Sequence, residues 1–176
     1  MDEGGIVRGY ATLWLNIVSV AAALMVAANP ARAATSNVQV NAQVVKPLTV
    51  TWVQDLDLGT IALGTGTFSG AVVGISRTGT FTCPASLVCA GPTKVATYNV
   101  TGTNGQTVRI SAPDVTLVNQ ADSSQRLTLV VDGPGTVALP NSGNKGVDFS
   151  LGGRITLSSS TAGGLYTGTF NVTVDY

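Results

Sequence analysis

The sequence predicts an all-β protein, an antiparallel sandwich of Greek-key type, and three observations carry that reading. Apolar and polar residues alternate with period two along several short runs. Turn signals rich in Gly, Asn and Asp separate the runs. No stretch beyond residue 33 sustains the 3.6-residue period of an amphipathic helix.

The runs follow one another along the chain. Val38, Val40, Ala42 and Val44 alternate with Asn37, Gln39, Asn41 and Gln43. After Lys46-Pro47, the apolar positions Leu48, Val50 and Trp52 alternate with Thr49 and Thr51. Asn104-Gly105 is the strongest hairpin signal and predicts that 95–101 turns back onto 107–111. In the second of these runs Val108 and Ile110 oppose Thr107, Arg109 and Ser111. Leu127, Leu129 and Val131 follow the same rule, and Asp132-Gly133-Pro134-Gly135 ends their run. Asn141-Ser142-Gly143-Asn144 predicts a longer loop. Ile155 and Leu157 alternate with Arg154 and Thr156, and Ala162-Gly163-Gly164 precedes the last run. There Tyr166, Gly168, Phe170, Val172, Val174 and Tyr176 share one face. That predicts one antiparallel strand, 166–176, with its other face in water.

Composition narrows the chemistry. The chain has 176 residues, zero net charge and only 10% charged residues. A nucleic-acid binder needs a basic face, so that class is disfavoured. The absence of His removes the commonest general base and zinc ligand. No Ser-His-Asp or Cys-His set can be built. Serines such as Ser123-Ser124 and Ser158-Ser159-Ser160 stand in turn contexts, which disfavours a Ser-Lys dyad. The reading is a non-enzymatic protein without a cofactor or catalytic residue.

Residues 11–28 are almost wholly apolar, and Pro30 and Ala31-Arg32-Ala33 follow. Small residues at Ala31 and Ala33 make a cleavage signal. Residues 1–33 therefore read as a signal peptide, in preference to an uncleaved membrane anchor. The expected organisation is a signal peptide (1–33), an N-terminal extension (34–46) and a β-sandwich domain (47–176). No membrane span is expected after cleavage.

Cys83 and Cys89 are the only cysteines. In an exported protein they most simply form one disulfide, which would pin a short loop rather than the core. Asp55 and Asp57 form a D-x-D pair that reads as a solvated loop edge before it reads as an acid/base or calcium pair. The glycines of 59–66 lack the Lys-Ser/Thr ending of a phosphate loop. Asn99-Val100-Thr101 and Asn171-Val172-Thr173 match a glycosylation sequon, but both fall in expected strands. Trp52 and Tyr98 read as core aromatics before they read as a sugar-stacking platform.

Three segments carry a resemblance: Pro47-Leu48-Thr49-Val50, then Leu56-Asp57-Leu58-Gly59-Thr60-Ile61, then the ending Gly164-Leu165-Tyr166-Thr167-Gly168-Thr169-Phe170-Asn171-Val172-Thr173-Val174-Asp175-Tyr176. They resemble a family of small exported Gram-negative proteins, described as a domain of unknown function, with an LDFG-like motif and a G-x-Y-x-G-T-F-x-V-T-V-x-Y ending. Leu58 stands where that family usually has Phe. The family is similar in turn to spore coat protein U domains and chaperone–usher pilin subunits. The resemblance implies an immunoglobulin-like, pilin-like sandwich that lacks one strand. It implies a structural subunit of a bacterial surface fibre or coat, assembled by donor-strand exchange. Val38, Val40, Ala42 and Val44 would be the donor positions. Phe170, Val172, Val174 and Tyr176 would lie on the strand a periplasmic chaperone holds. The implied partners are other copies or related subunits, a chaperone and an outer-membrane usher. The implied location is the periplasm, then the cell surface. The alternative is a self-complete secreted module that binds a glycan or a surface partner, in which 38–44 pairs within its own sheet.

Overall fold

The computed structural model describes residues 35–176. The expected signal peptide lies outside the described residues. The first strands are β1 (Thr49–Gln54), β2 (Thr60–Leu63), β3 (Ala71–Ile75), β4 (Phe81–Thr82), β5 (Leu87–Ala90) and β6 (Ala96–Thr101). Then come β7 (Thr107–Ser111), β8 (Val115–Asn119), β9 (Arg126–Asp132) and β10 (Thr136–Ala138). The last are β11 (Val147–Leu157), β12 (Tyr166–Thr167) and β13 (Thr173–Asp175). No helix occurs among the described residues, and every ladder between these strands is antiparallel. The protein is an all-β antiparallel sandwich.

The largest sheet runs β1-β6-β11-β9-β8-β12, with β3 on β11 and β4 on β3. A second sheet runs β10-β7-β13, and β2 pairs with β5. The 11-residue β11 is the spine. Its first half, Val147–Leu151, pairs with β6, and its second half, Gly153–Leu157, with β3. Two glycines sit where the partner changes. A Cβ on Gly152 would strike the backbone of Ile75 and Arg77, which crosses directly over it. Arg77 then reaches β9: its amide donates to Asp132 Oδ2 at 2.9 Å and its guanidinium to the Gly133 carbonyl at 2.7 Å.

Two buried clusters fill the body. One gathers Ala71, Val73, Leu87, Val115, Leu129, Ile155 and Leu157. The other gathers Ala96, Val100, Val108, Ile110, Leu139, Phe149 and Leu151. Leu56, Val131 and Phe170 pack against both. Leu56 belongs to the LDLG motif and Phe170 to the G-T-F ending, so both motifs supply residues that join the clusters. Asn119 is the only buried polar residue among the described residues. It is satisfied: Nδ2 donates to the Gly163 carbonyl at 3.0 Å, and Oδ1 accepts from the Ala121 amide at 2.9 Å. A buried amide with these partners fixes the approach of the C-terminal segment to β8.

The structure corrects four expectations. Asn104-Gly105 does not close a hairpin, because β6 and β7 lie in different sheets. Val100 and Val108 are both fully buried in the same cluster, to which the two sheets each contribute. Asn104-Gly105 still forms a turn, in which the Gln106 amide donates to the Thr103 carbonyl at 3.4 Å, while the Gly105 amide donates to the Pro140 carbonyl at 3.0 Å. The run 166–176 is not one strand either. Its start pairs with β8 and its end with β7, so the segment crosses from one sheet to the other, and its burial alternates only from Phe170 to Val174. Asn171 therefore lies between strands rather than in one. The third correction concerns Trp52, which is 59% exposed and not a core residue. The fourth concerns the disulfide: Cys83–Cys89 forms, and Cys89 packs against the first cluster. The bond ties the end of β4 to β5, and so joins two sheets.

Candidate functional site

Neighbouring residues that stand directly opposite on antiparallel strands point to the same face. In the register of β1, β6 and β11, Val50 stands opposite Val100, and Val147 opposite Val100 from the other side. Trp52 likewise stands opposite Tyr98, and Tyr98 opposite Phe149. Val100 and Phe149 are buried in the second cluster. Val50 and Trp52 therefore point inward, yet they are 37% and 59% exposed. The inner face of β1 lacks the cover that its neighbours have.

The second sheet ends in the same way. β13 is its last strand, just as β1 is the last of the large sheet, and neither has a second ladder partner among the described residues. Val174 stands opposite the buried Ile110, yet it is only half-buried, as are Val172 and Phe170. Two sheets that share one cluster thus each leave inward apolar side chains partly uncovered at a terminal strand. That is the geometry of a sandwich with an open seam.

Polar groups mark the seam's borders. The Trp52 indole donates to Asp55 Oδ1 at 3.0 Å. Tyr98 stacks on Phe149 with ring centroids 5.7 Å apart. Burial and then the nearby Asp55 charge hold the Tyr98 phenol above its ordinary range. Between Trp52 and Gln54 the register shifts, and Gln54 Nε2 donates to the Val95 carbonyl at 2.8 Å. A bulge of this kind turns the strand and ends its regular edge. Tyr176 stands at the other end. Its hydroxyl accepts from the Thr103 amide at 2.8 Å and donates to the Lys46 carbonyl at 2.5 Å. The Lys46 amide donates to Thr103 Oγ1 at 2.6 Å.

The other site residues are placed as follows. Val38, Val40, Ala42 and Val44 are exposed, and residues 35–48 form no strand. Asp55 and Asp57 have separate partners: Asp55 Oδ1 accepts from the Trp52 indole at 3.0 Å and Asp57 Oδ1 from the Gly59 amide at 2.8 Å. Ser158 bonds Ser160 and Thr161 within its own turn. Asn99 Nδ2 donates to Asp148 Oδ1 at 2.6 Å and so links β6 to β11. Sequence reasoning found the inward face of β1 but missed that it is uncovered. Alternation reports which way a side chain points, not what lies across from it.

A family model for a domain of unknown function (DUF4402) matches residues 48–176. The chain belongs to the DUF4402 family. The match begins at Leu48, one residue before β1, so the DUF4402 region includes both borders of the seam and excludes the alternating run 38–44. No curated protein matches the chain.

Proposed function

We propose that this DUF4402 protein is a structural subunit of a bacterial surface fibre or coat, in which residues 38–44 of one copy complete the seam of the next. The open seam carries the reading: Val50 and Trp52 point inward and are still exposed. An added strand would satisfy the unpaired edges with main-chain hydrogen bonds and place alternate side chains inside. Val38, Val40, Ala42 and Val44 have the required alternation and make no strand of their own. The pilin-like resemblance adds the expected route: export, capture by a periplasmic chaperone along Phe170–Tyr176, and delivery through an outer-membrane usher to the cell surface.

The test is a ladder of oligomers on an unheated denaturing gel. Wild type should give a ladder. Val40→Asp should abolish it, because a charge cannot be buried unpaired in the seam. Gln39→Asp, on the outer face, should keep it. A deletion of 34–45 that unfolds an isolated monomer would show instead that the run belongs to its own sheet.

The exposed indole of Trp52 favours a second reading, a self-complete module that stacks a sugar ring on this edge. Quenching or a shift of Trp52 emission on titration with glycans, in protein that shows no ladder, would support it.

A further inference from the structure

Lys46, Thr103 and Tyr176 form a hydrogen-bonded junction just before β1. To cover its own seam, the run 38–44 would have to reverse direction there and lie along β1. Pro47 suits position i+1 of a type I or II turn, which here spans Lys46–Thr49. That turn closes when the Lys46 carbonyl accepts the Thr49 amide. The Tyr176 hydroxyl already donates to this carbonyl and the Lys46 amide donates to Thr103 Oγ1, so both backbone groups of Lys46 face the Thr103–Tyr176 side. Pro47 has no amide to offer. The register opposes the turn as well. A Pro47-Leu48 loop would set Val45 opposite Val50 and Gln43 opposite Trp52, which turns Val44 and Ala42 outward. The register that turns Val44 and Ala42 inward needs Lys46 itself inside the loop, and a reversal there would swing its amide or its carbonyl away from Thr103 and Tyr176.

We propose that the Tyr176 hydroxyl is a positioning group. It holds the Lys46 backbone against Thr103 and so bars residues 38–44 from closing the seam of their own chain. The inference rests on the donor-strand reading and adds to it: the same run is kept for a neighbour because the C-terminal tyrosine denies it the turn home. Val44 and Val45, which precede the junction, are 89% and 45% exposed.

Amide hydrogen exchange on the exported chain, kept dilute so that it stays monomeric, tests this directly. In wild type, the amides of 38–44 should exchange freely. Tyr176→Phe keeps the ring and removes the bond, and Thr103→Val removes the acceptor for Lys46. Both variants should slow exchange across 38–44 by at least about tenfold and weaken the ladder. Freely exchanging amides in both variants would overturn the proposal, and an unchanged wild-type ladder would leave the subunit reading standing. Protection of 38–44 in the wild-type monomer would overturn both. Protection gained only in the variants, with no wild-type ladder under any condition, would uphold the junction's role and sink the subunit reading.

Discussion

Trp52 and Phe149 lie on the same face of the large sheet, with Tyr98 between them, yet Phe149 is 5% exposed and Trp52 59%. Two strands of lateral distance separate a packed interior from an open border. If a strand from another copy fills that border, Trp52 is the side chain whose environment changes most. In a chain cleaved after Ala33, it is also the lone tryptophan, since the other is Trp14. Its emission should shift to shorter wavelength on assembly and stay water-like in the monomer. Trp52→Ala should cost the monomer less than about 1 kcal/mol, because most of the ring is already hydrated. It should weaken assembly by about tenfold or more, which is about 1.4 kcal/mol.

Phe170 belongs to both clusters. Removing its ring opens space in each at once, so Phe170→Ala should cost about 3 kcal/mol. Its neighbour Asn171 is exposed, and Asn171→Ala should stay within about 0.5 kcal/mol. Urea unfolding monitored by circular dichroism reads both values. A Phe170→Ala midpoint equal to wild type would mean that the two clusters do not depend on this ring.

Cys83 and Cys89 should resist alkylation until a reductant is added. The loop they close is short, so chain entropy accounts for about 2 kcal/mol. Cys89 also packs against the first cluster, and a Ser hydroxyl there is poorly accommodated. The double Ser variant should therefore lose about 3 kcal/mol and keep its fold. Replacing Cys89 with Ala instead of Ser, with Cys83→Ser unchanged, should recover part of the difference.

Tyr98 should make stability fall in alkali. Burial and the Asp55 charge raise its folded-state pKa above the ordinary value of 10.0. The unfolded chain therefore loses this proton first. The stabilisation is complete below the unfolded pKa and declines as pH rises from about 10 through the folded value. Urea midpoints should be unaffected by this group at neutral pH and fall in that alkaline window. Tyr98→Phe should flatten the decline, and Asp55→Asn should reduce it. A wild-type profile with the same slope as Tyr98→Phe would contradict this account.

Local pattern determined much of the molecule. Alternating Val108 and Ile110 define β7 at Thr107–Ser111, and Leu127 to Val131 lie within β9. The turn residues at 133–135 and 141–144 fall between strands, and the cysteine pair forms its bond. These features depend on neighbours in the chain, because a period of two and a glycine in a turn act over a few residues. β3 was less legible, since Val73, Gly74 and Ile75 are buried in succession and the alternation is lost. What the tertiary structure decided is which sheet each strand joins. Asn104-Gly105 reads as a hairpin, but the strands on either side of this turn join different sheets, and Val100 and Val108 meet in one cluster from those two sheets. The C-terminal run alternates as a single strand would, yet β8 takes its start and β7 its end. The seam is a fact of the same kind. Sequence shows that Val50 and Trp52 point one way; only the placement of β1 and β13 at the ends of their sheets leaves them without cover.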